Sequence, residues 1–454
     1  MNSEINAKKE AKLYGSSRAV PFSPQQNRIL NIFFFSILGA TFISMLAALL
    51  YYVYSYALLS AGIHDSDWLL GIFSDFVYIM NVSLEDSPYL VEDSSYPPVA
   101  IAVLYPFALI CKGAFAQYSK SILTVDELTS AIVLHPEFWV AIILFFILCS
   151  AAVIFALIYK FKLDALQGIK LSVIVLCSAP FVYAVMRGNT IYFALIFLLL
   201  FLILYKSENP VLREISYICL AISGLIKIYP LFFGVFLLRE KKIWASARVG
   251  IYSVCGFFSS FLLFKRGLGD LEHFIDNLSG FSENQVRLDA GNNMSLTAMI
   301  YKFFGLFVED PESLKAYEIT NLVCLVLLFA IATFMALAAS SHLSRYIIAT
   351  ATVILIPSIS YFYVLVFAIL PFMEFIRHYD ELSRFKQRLY FWLFMFLLFT
   401  PLIITQFFLP HTIILLTMFG VECVSVVKYD LLKKDRPDSF TKADIQERIL
   451  NNDI

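Results

Sequence analysis

The chain has 454 residues, of which 60% are hydrophobic, 16% are aromatic and only 15% are charged. Soluble domains carry about 25% charged residues. Here the charged residues lie in short clusters between long apolar runs, which is the pattern of a membrane protein. With a net charge of -1 the sequence offers no basic surface, so we expect no nucleic-acid partner.

The N-terminal segment predicts a retained membrane anchor. Residues 1–28 are polar and basic, and the apolar run that follows, from Ile29 to Ser60, is too long for the core of a cleavable signal peptide. We therefore expect a cytoplasmic N-terminal tail (1–28), a transmembrane domain (29–428) and a charged cytoplasmic tail (429–454).

A helix needs about 20 apolar residues to cross a bilayer core. Twelve runs meet or approach that length, and they predict an all-α polytopic membrane protein. Several of these runs are short and meet at polar breaks, which persist at membrane depth only where they line a wet or protein-walled cavity. The twelve runs are 30–57, 137–159, 171–186, 190–206, 213–227, 229–239, 247–264, 318–338, 346–357, 361–376, 389–408 and 410–428.

The distribution of basic residues predicts the orientation. If segment 98–116 is re-entrant, twelve spans place both termini on one side, together with about three quarters of the 34 Lys and Arg residues. Basic residues mark the cytoplasmic side. We therefore expect cytoplasmic termini and two large outer loops, at 61–136 and 265–317. A crossing by 98–116 would largely remove this asymmetry.

The first outer loop is acidic. Between residues 61 and 97 it holds seven carboxylates and no Lys or Arg. Any one of these carboxylates is most simply a solvated side chain. Asp75, however, lies in a stretch whose apolar residues suit a helix in the membrane interface. A general base for a lipid-bound substrate has to lie at that depth.

Two cations lie at breaks between short apolar helices. Arg187 is followed by Gly188-Asn189, and Lys227 is followed by Ile-Tyr-Pro. A cation beside an apolar helix either extends to lipid headgroups or serves a site. Because both breaks are predicted on the outer side, Arg187 and Lys227 are candidates to meet on one phosphate.

A further break, Pro357–Tyr363, has hydroxyl groups that either bind sugar or satisfy backbone groups. The sequence has no phosphate-binding Gly-rich loop, dinucleotide motif, zinc-protease motif or nucleophile elbow. The sequence therefore contains no recognisable motif for nucleotide-dependent chemistry.

Five short sequence segments occur in one order along the chain: Asp75-Phe-Val-Tyr78, Ser87-Pro-Tyr89, Tyr96-Pro-Pro98, Arg187-Gly-Asn189 and Lys227-Ile-Tyr-Pro230. Together they resemble the GT-C superfamily of membrane glycosyltransferases, and within it glycosyltransferase family 87, the polyprenyl-phosphate-mannose-dependent mannosyltransferase type. The set is also similar to the catalytic subunit of the first mannosyltransferase of glycosylphosphatidylinositol assembly. The resemblance implies a GT-C fold of about twelve transmembrane helices, with interfacial helices in the first outer loop.

The resemblance also implies site residues and substrates. An acidic residue of the first outer loop acts as catalytic base, and we assign Asp75, with Asp67 as the alternative. The donor is a sugar on polyprenyl phosphate, the acceptor is lipid- or glycan-linked, and Arg187 and Lys227 bind the donor phosphate. The remaining candidates are expected to bind substrate, and they are Tyr96, Asn189, Tyr229, Tyr361 and Tyr363.

Some superfamily members use a divalent metal such as Mg²⁺ or Mn²⁺, but the acidic loop offers no firm ligand set. The expected location is a bacterial plasma membrane. Two other functions share a cationic outer cavity: a flippase for lipid-linked saccharides, and a polymerase of such saccharides. A flippase usually has internal repeats, and the sequence has none. A polymerase typically holds its arginines in one large outer loop, whereas these cations lie between helices.

Overall fold

The structure, a computed structural model, describes residues 22–60, 72–91, 94–118, 124–288, 293–305, 312–399 and 409–432. Regular structure in these ranges is entirely helical, so the all-α prediction is confirmed. Asp67 lies outside the described residues.

Twenty α-helices follow one another in the described ranges, here numbered α1 to α20. Short 3-10 helices join some of them, at Tyr229–Gly234, Phe261–Leu263, Gly267–Asp270, Phe362–Ala368 and Tyr379–Glu381. The α-helices are α1 Pro24–Ser60, α2 Ser74–Ser83, α3 Pro88–Val91, α4 Pro98–Ala102, α5 Tyr105–Phe115, α6 Val125–Ile132, α7 Pro136–Phe161, α8 Ala165–Cys177, α9 Ala179–Arg187, α10 Ile191–Leu204, α11 Pro210–Ile226, α12 Val235–Arg239, α13 Ile243–Ser260, α14 Leu271–Leu288, α15 Leu296–Gly305, α16 Glu312–Ala338, α17 His342–Leu355, α18 Ile369–Arg377, α19 Arg384–Phe399 and α20 Leu409–Val426.

Five stretches of the described helices are long and apolar enough to cross a bilayer, and α8 and α9 form a sixth candidate if the pair, bent by 55°, is one span. The other predicted runs are also helical where the structure describes them, but they are shorter: α10 and α17 have 14 residues each. The chain is thus a polytopic membrane protein, and the count of twelve crossings stays a prediction. The five stretches are Pro24–Leu46, Pro136–Phe161, Ile243–Leu263, Ala316–Ala338 and Leu409–Leu431.

Helix α2, which carries Asp75, forms where the sequence predicts it, but protein covers most of its surface. Nine of its ten residues are buried. Its apolar residues occur on more than one face, so the helix packs against α4, α5 and α6 together. The predicted apolar face toward lipid is therefore covered by protein, whereas the depth of α2 in the membrane stays a prediction.

Segment 98–116 is broken into α4 and α5, and neither helix is long enough to cross a bilayer. Pro98 occupies the first position of α4, where a missing N–H costs nothing. This arrangement agrees with a segment that does not span the membrane.

Most buried apolar side chains belong to one continuous core. A second, small cluster joins the first predicted outer loop to the second. In it, Val82, Tyr89 and Ile101 pack with Phe261 and Phe274. The two predicted outer loops therefore pack against each other through this cluster.

Candidate active site

A cavity of about 1800 Å³ is lined by residues at several breaks between short helices. It is lined by the start of α2, the end of α9, the α11 break at Lys227 and the 357–363 break. Helices α13 and α14 form another wall, which is mainly apolar. The predicted polar breaks therefore share one space in the protein.

Asp75 and Arg187 are paired inside this cavity. Arg187 Nη2 lies 2.5 Å from Asp75 Oδ1, and Arg187 Nε donates to Asp75 Oδ2 at 3.2 Å. The pair is therefore bidentate, the strongest geometry for a guanidinium and a carboxylate. The Arg187 side chain is 29% exposed and that of Asp75 is 11% exposed, so both border the cavity while most of their surface is covered.

Asn189 also donates to the Asp75 carboxylate. Its Nδ2 donates to Asp75 Oδ2 at 2.8 Å, and its Oδ1 accepts from the N–H of Ile191. Asn189 is fully buried and is not part of the cavity wall. Its geometry is that of a residue that orients Asp75, whereas direct substrate binding was the expectation.

Gly188 brings Arg187 and Asn189 to Asp75. It ends α9 with φ +63°, and the N–H groups of Gly188 and Asn189 bond back to the carbonyls of Val185 and Ala184. This is a Schellman ending, which favours glycine. A Cβ atom at Gly188 would lie 2.3 Å from the Cβ atom of Phe76 on α2. Glycine is thus required both by the backbone and by the close approach of α9 to α2.

We expect Gly188→Ala to destabilise the protein severely, by ~3 kcal/mol or more, because a left-handed backbone and an overpacked contact each cost ~1–3 kcal/mol. Thermal unfolding in detergent measures this loss. The matched control is Gly250→Ala on α13, where an added Cβ atom meets nothing within 4 Å. Equal melting temperatures for the two variants would contradict the packing described here.

Lys227 is the second cation of the cavity. Helix α11 ends at Ile226, and Lys227 is extended, with its N–H bonded to Ser223. The Lys227 Nζ atom lies 4.7 Å from the centre of the Tyr96 ring and 5.9 Å from that of Tyr363. Among the described residues no carboxylate forms an ion pair with Lys227. Two aromatic faces therefore hold this ammonium group at the cavity wall.

Tyrosines supply much of the remaining polar wall. Tyr96, Tyr229, Tyr361 and Tyr363, all predicted from the sequence, line the cavity. Tyr183 does so too, and its ring is nearly parallel to that of Tyr363 at 6.3 Å. The sequence analysis did not predict Tyr183. This residue lies one helical turn before Arg187, so the two side chains share a face of the helix, and that spacing could have identified it.

The Tyr96 phenol belongs to the loop before α4, outside the predicted spans. Its burial, with the Asp75 carboxylate adding to the effect, raises the pKa of Tyr96 well above its usual range. Tyr96 is therefore a neutral hydroxyl group at physiological pH and can donate a hydrogen bond to a substrate oxygen.

The 357–363 break is held from the second predicted outer loop. Asn293 Nδ2 donates to the carbonyl of Ser358, and Asn293 Oδ1 accepts from the N–H of Ser360. Met294 N–H bonds to the Ser360 carbonyl at 2.8 Å. These bonds satisfy backbone groups that the break frees. They place Tyr361, the next residue, in the cavity wall.

The described residues do not fit a divalent metal. They contain no group of three His, Cys, Asp or Glu side chains arranged to hold one. Asp75 and Asp126 are the described carboxylates of the cavity wall. Asp75 Oδ2 accepts from Arg187 and Asn189, and Asp75 Oδ1 accepts from Arg187, which leaves one of the four lone-pair sites of this carboxylate open. We therefore derive no chemical step through a metal.

The sequence is similar to a known family of proteins. Residues 95–367, about three fifths of the chain, match the model of glycosyltransferase family 87. No curated protein matches the sequence. A match over more than half of the chain is enough to assign it, so the chain belongs to glycosyltransferase family 87.

Proposed function

We propose that this member of glycosyltransferase family 87 moves a hexose such as mannose from polyprenyl phosphate to a lipid- or glycan-linked acceptor. The transfer takes place on the outer face of a bacterial plasma membrane, with both termini in the cytoplasm, and inverts the anomeric configuration. One observation carries the proposal: a carboxylate, a guanidinium and an ammonium group line a single cavity that also has a long apolar wall.

The charges of the cavity support a donor with one negative charge. Arg187 neutralises Asp75 within their ion pair. The other described carboxylate of the wall, Asp126, is exposed to solvent, which screens its charge. Lys227 is then the cavity cation that forms no ion pair among the described residues. A sugar on a lipid monophosphate is a phosphodiester with a single negative charge, whereas a nucleotide sugar or lipid diphosphate carries two. One uncompensated cation in a partly dry site matches the phosphodiester.

The apolar wall supports a lipid donor. Leu225, Val254, Phe258 and Leu278 line the cavity, and Ile228 at its edge is 75% exposed. Val254 and Phe258 lie on α13, one of the candidate membrane spans. A polyprenyl chain in the bilayer can lie along this wall while its phosphate reaches Lys227. Burial of such a chain contributes about 0.8 kcal/mol per CH₂ group.

The proposed reaction needs three functions from these residues. Asp75 accepts the proton of the acceptor hydroxyl, whose oxygen forms a bond to the anomeric carbon. The bond from that carbon to the phosphate oxygen breaks, and the electron pair stays on the leaving lipid phosphate. The phosphate gains a second negative charge in this step, so Lys227 and the partly exposed Arg187 stabilise the transition state more than the ground state.

Asn189 and Tyr96 support the reaction through hydrogen-bond donors that are held in fixed positions. The Asn189 amide fixes the orientation of Asp75, and the Tyr96 hydroxyl, with Tyr229, Tyr361 and Tyr363, offers donors to sugar oxygens. Preorganised donors of this kind require no rearrangement as charge develops.

The test uses purified protein in proteoliposomes made from bacterial membrane lipid extract, which supplies acceptors. The donor probe is polyprenyl-phosphate mannose labelled in the sugar. We expect labelled mannose to leave the donor as polyprenyl phosphate is released, and a nucleotide-linked mannose to be inert. Movement of intact donor across the bilayer without cleavage would establish a flippase instead, and transfer from the nucleotide sugar would contradict the proposal.

A further inference from the structure

The Ser87-Pro88-Tyr89 segment stands out in the sequence, yet it does not line the cavity. Tyr89 is 1% exposed, and its ring packs against Phe261, Phe264 and Phe274. Its hydroxyl donates to the carbonyl of Tyr96 at 3.0 Å. A buried Tyr hydroxyl needs such a partner, and here the partner is the backbone of a residue that contacts Lys227.

Asn277 of α14 secures the same segment from the second predicted outer loop. Its Nδ2 donates to the carbonyl of Tyr89 at 2.8 Å and to that of Ser94 at 3.3 Å. The hydroxyl of Ser94 in turn accepts from the N–H of Tyr96. The N–H and the carbonyl of Tyr96 are therefore both bonded to side chains that are themselves buried, those of Ser94 and Tyr89.

The Tyr96 ring is what these bonds position. Its centre lies 4.7 Å from Lys227 Nζ. Lys227 follows the last residue of α11 and has an extended backbone, and a lysine side chain has many rotamers of similar energy. Without a fixed aromatic face beside it, the Lys227 ammonium group would adopt several positions, including one beside the Asp75 carboxylate in the same cavity.

We propose that Tyr89 and Asn277 are positioning residues for Lys227: they fix the Tyr96 backbone, and the Tyr96 ring fixes the ammonium group that faces the donor phosphate. This inference rests on the proposed function of Lys227. It means that Tyr89 and Asn277 affect the rate of transfer although they contact neither the donor phosphate nor the charged residues of the cavity. It also links α14, whose Phe274 and Leu278 line the cavity, to the position of the cation.

The test is Tyr89→Phe in the proteoliposome transfer assay with labelled polyprenyl-phosphate mannose. The change removes one hydroxyl and keeps the ring. We expect kcat to fall about fivefold, which is the scale of one hydrogen bond, while the KM for the donor changes less than twofold. Asn277→Ala, which removes the two bonds to Tyr89 and Ser94, is expected to lower kcat in the same way.

Tyr192→Phe is the matched control. Tyr192 is also 1% exposed, and its hydroxyl also donates to a backbone carbonyl, that of Phe181 at 2.9 Å, outside the cavity. We expect this variant to keep kcat within twofold. Equal losses in Tyr89→Phe and Tyr192→Phe, or a loss only in KM, would overturn the inference, because a general loss of stability would then explain the data.

A double-mutant cycle distinguishes this inference from the proposed function. If Tyr89 acts through Lys227, Tyr89→Phe should have no further effect on kcat in a Lys227→Gln background. A Lys227→Gln variant that is slow, combined with an additive Tyr89→Phe effect, would overturn the positioning role alone. A Lys227→Gln variant with unchanged kcat would overturn the role of Lys227 in the proposed function.

Discussion

Asp75→Asn should reduce sugar transfer by ~10³-fold, the typical contribution of a general base, without loss of donor binding. The amide has nearly the shape of the carboxylate but cannot take the acceptor proton. It also leaves the Arg187 charge uncompensated, so the cavity becomes more positive by one unit. We therefore expect the variant to bind polyprenyl-phosphate mannose as tightly as the unmodified protein or more tightly, as measured by equilibrium binding in detergent.

The matched control for Asp75 is Asp86→Asn. Asp86 belongs to the same predicted outer loop but lies outside the cavity, where its exposed side chain pairs with Lys265. An exposed pair contributes about 0–1 kcal/mol, so this variant should keep its activity. If Asp75→Asn were fully active, the base would lie elsewhere, and Asp67→Asn would be the next variant to assay.

Lys227→Gln should lower kcat by ~10²-fold, the scale observed when one donor to a developing negative charge is removed. Glutamine keeps a polar side chain near the Tyr96 and Tyr363 rings but provides no positive charge. The leaving phosphate then depends on Arg187, which Asp75 already neutralises in part. Transfer rates at saturating donor measure the effect.

Lys265→Gln provides the comparison for Lys227, because it removes an exposed lysine that does not line the cavity. We expect its kcat to be unchanged. A Lys227→Gln variant as fast as Lys265→Gln would mean that Lys227 contacts lipid headgroups only, and the charge argument for a monophosphate donor would lose its basis.

The sequence predicted the class of fold and three of the four described charged residues of the cavity wall, Asp75, Arg187 and Lys227. Long apolar runs require helices in a bilayer, and a polar break at that depth requires a cavity. These two constraints identify Arg187, Lys227 and the 357–363 break as residues that line a cavity. They act on each segment separately, so they need no knowledge of tertiary contacts.

The partners of these residues could not be predicted in the same way. Asp75 and Arg187 are 112 residues apart, and nothing local in either segment indicates that they form an ion pair. The same holds for Asn189, whose burial depends on how closely Gly188 lets α9 approach α2. Helix α2 was expected to turn one apolar face toward lipid because of its amphipathic sequence, whereas packing against neighbouring helices covers that face.

The most direct test is a structure of the Asp75→Asn variant in lipid nanodiscs with polyprenyl-phosphate mannose bound. We expect the phosphate within about 4 Å of both the Lys227 ammonium and the Arg187 guanidinium, the usual limit for an ion pair. The anomeric carbon should face residue 75, and the polyprenyl chain should lie along α13 and α14. A phosphate bound away from both cations, or a sugar on the far side of the cavity from residue 75, would contradict the account.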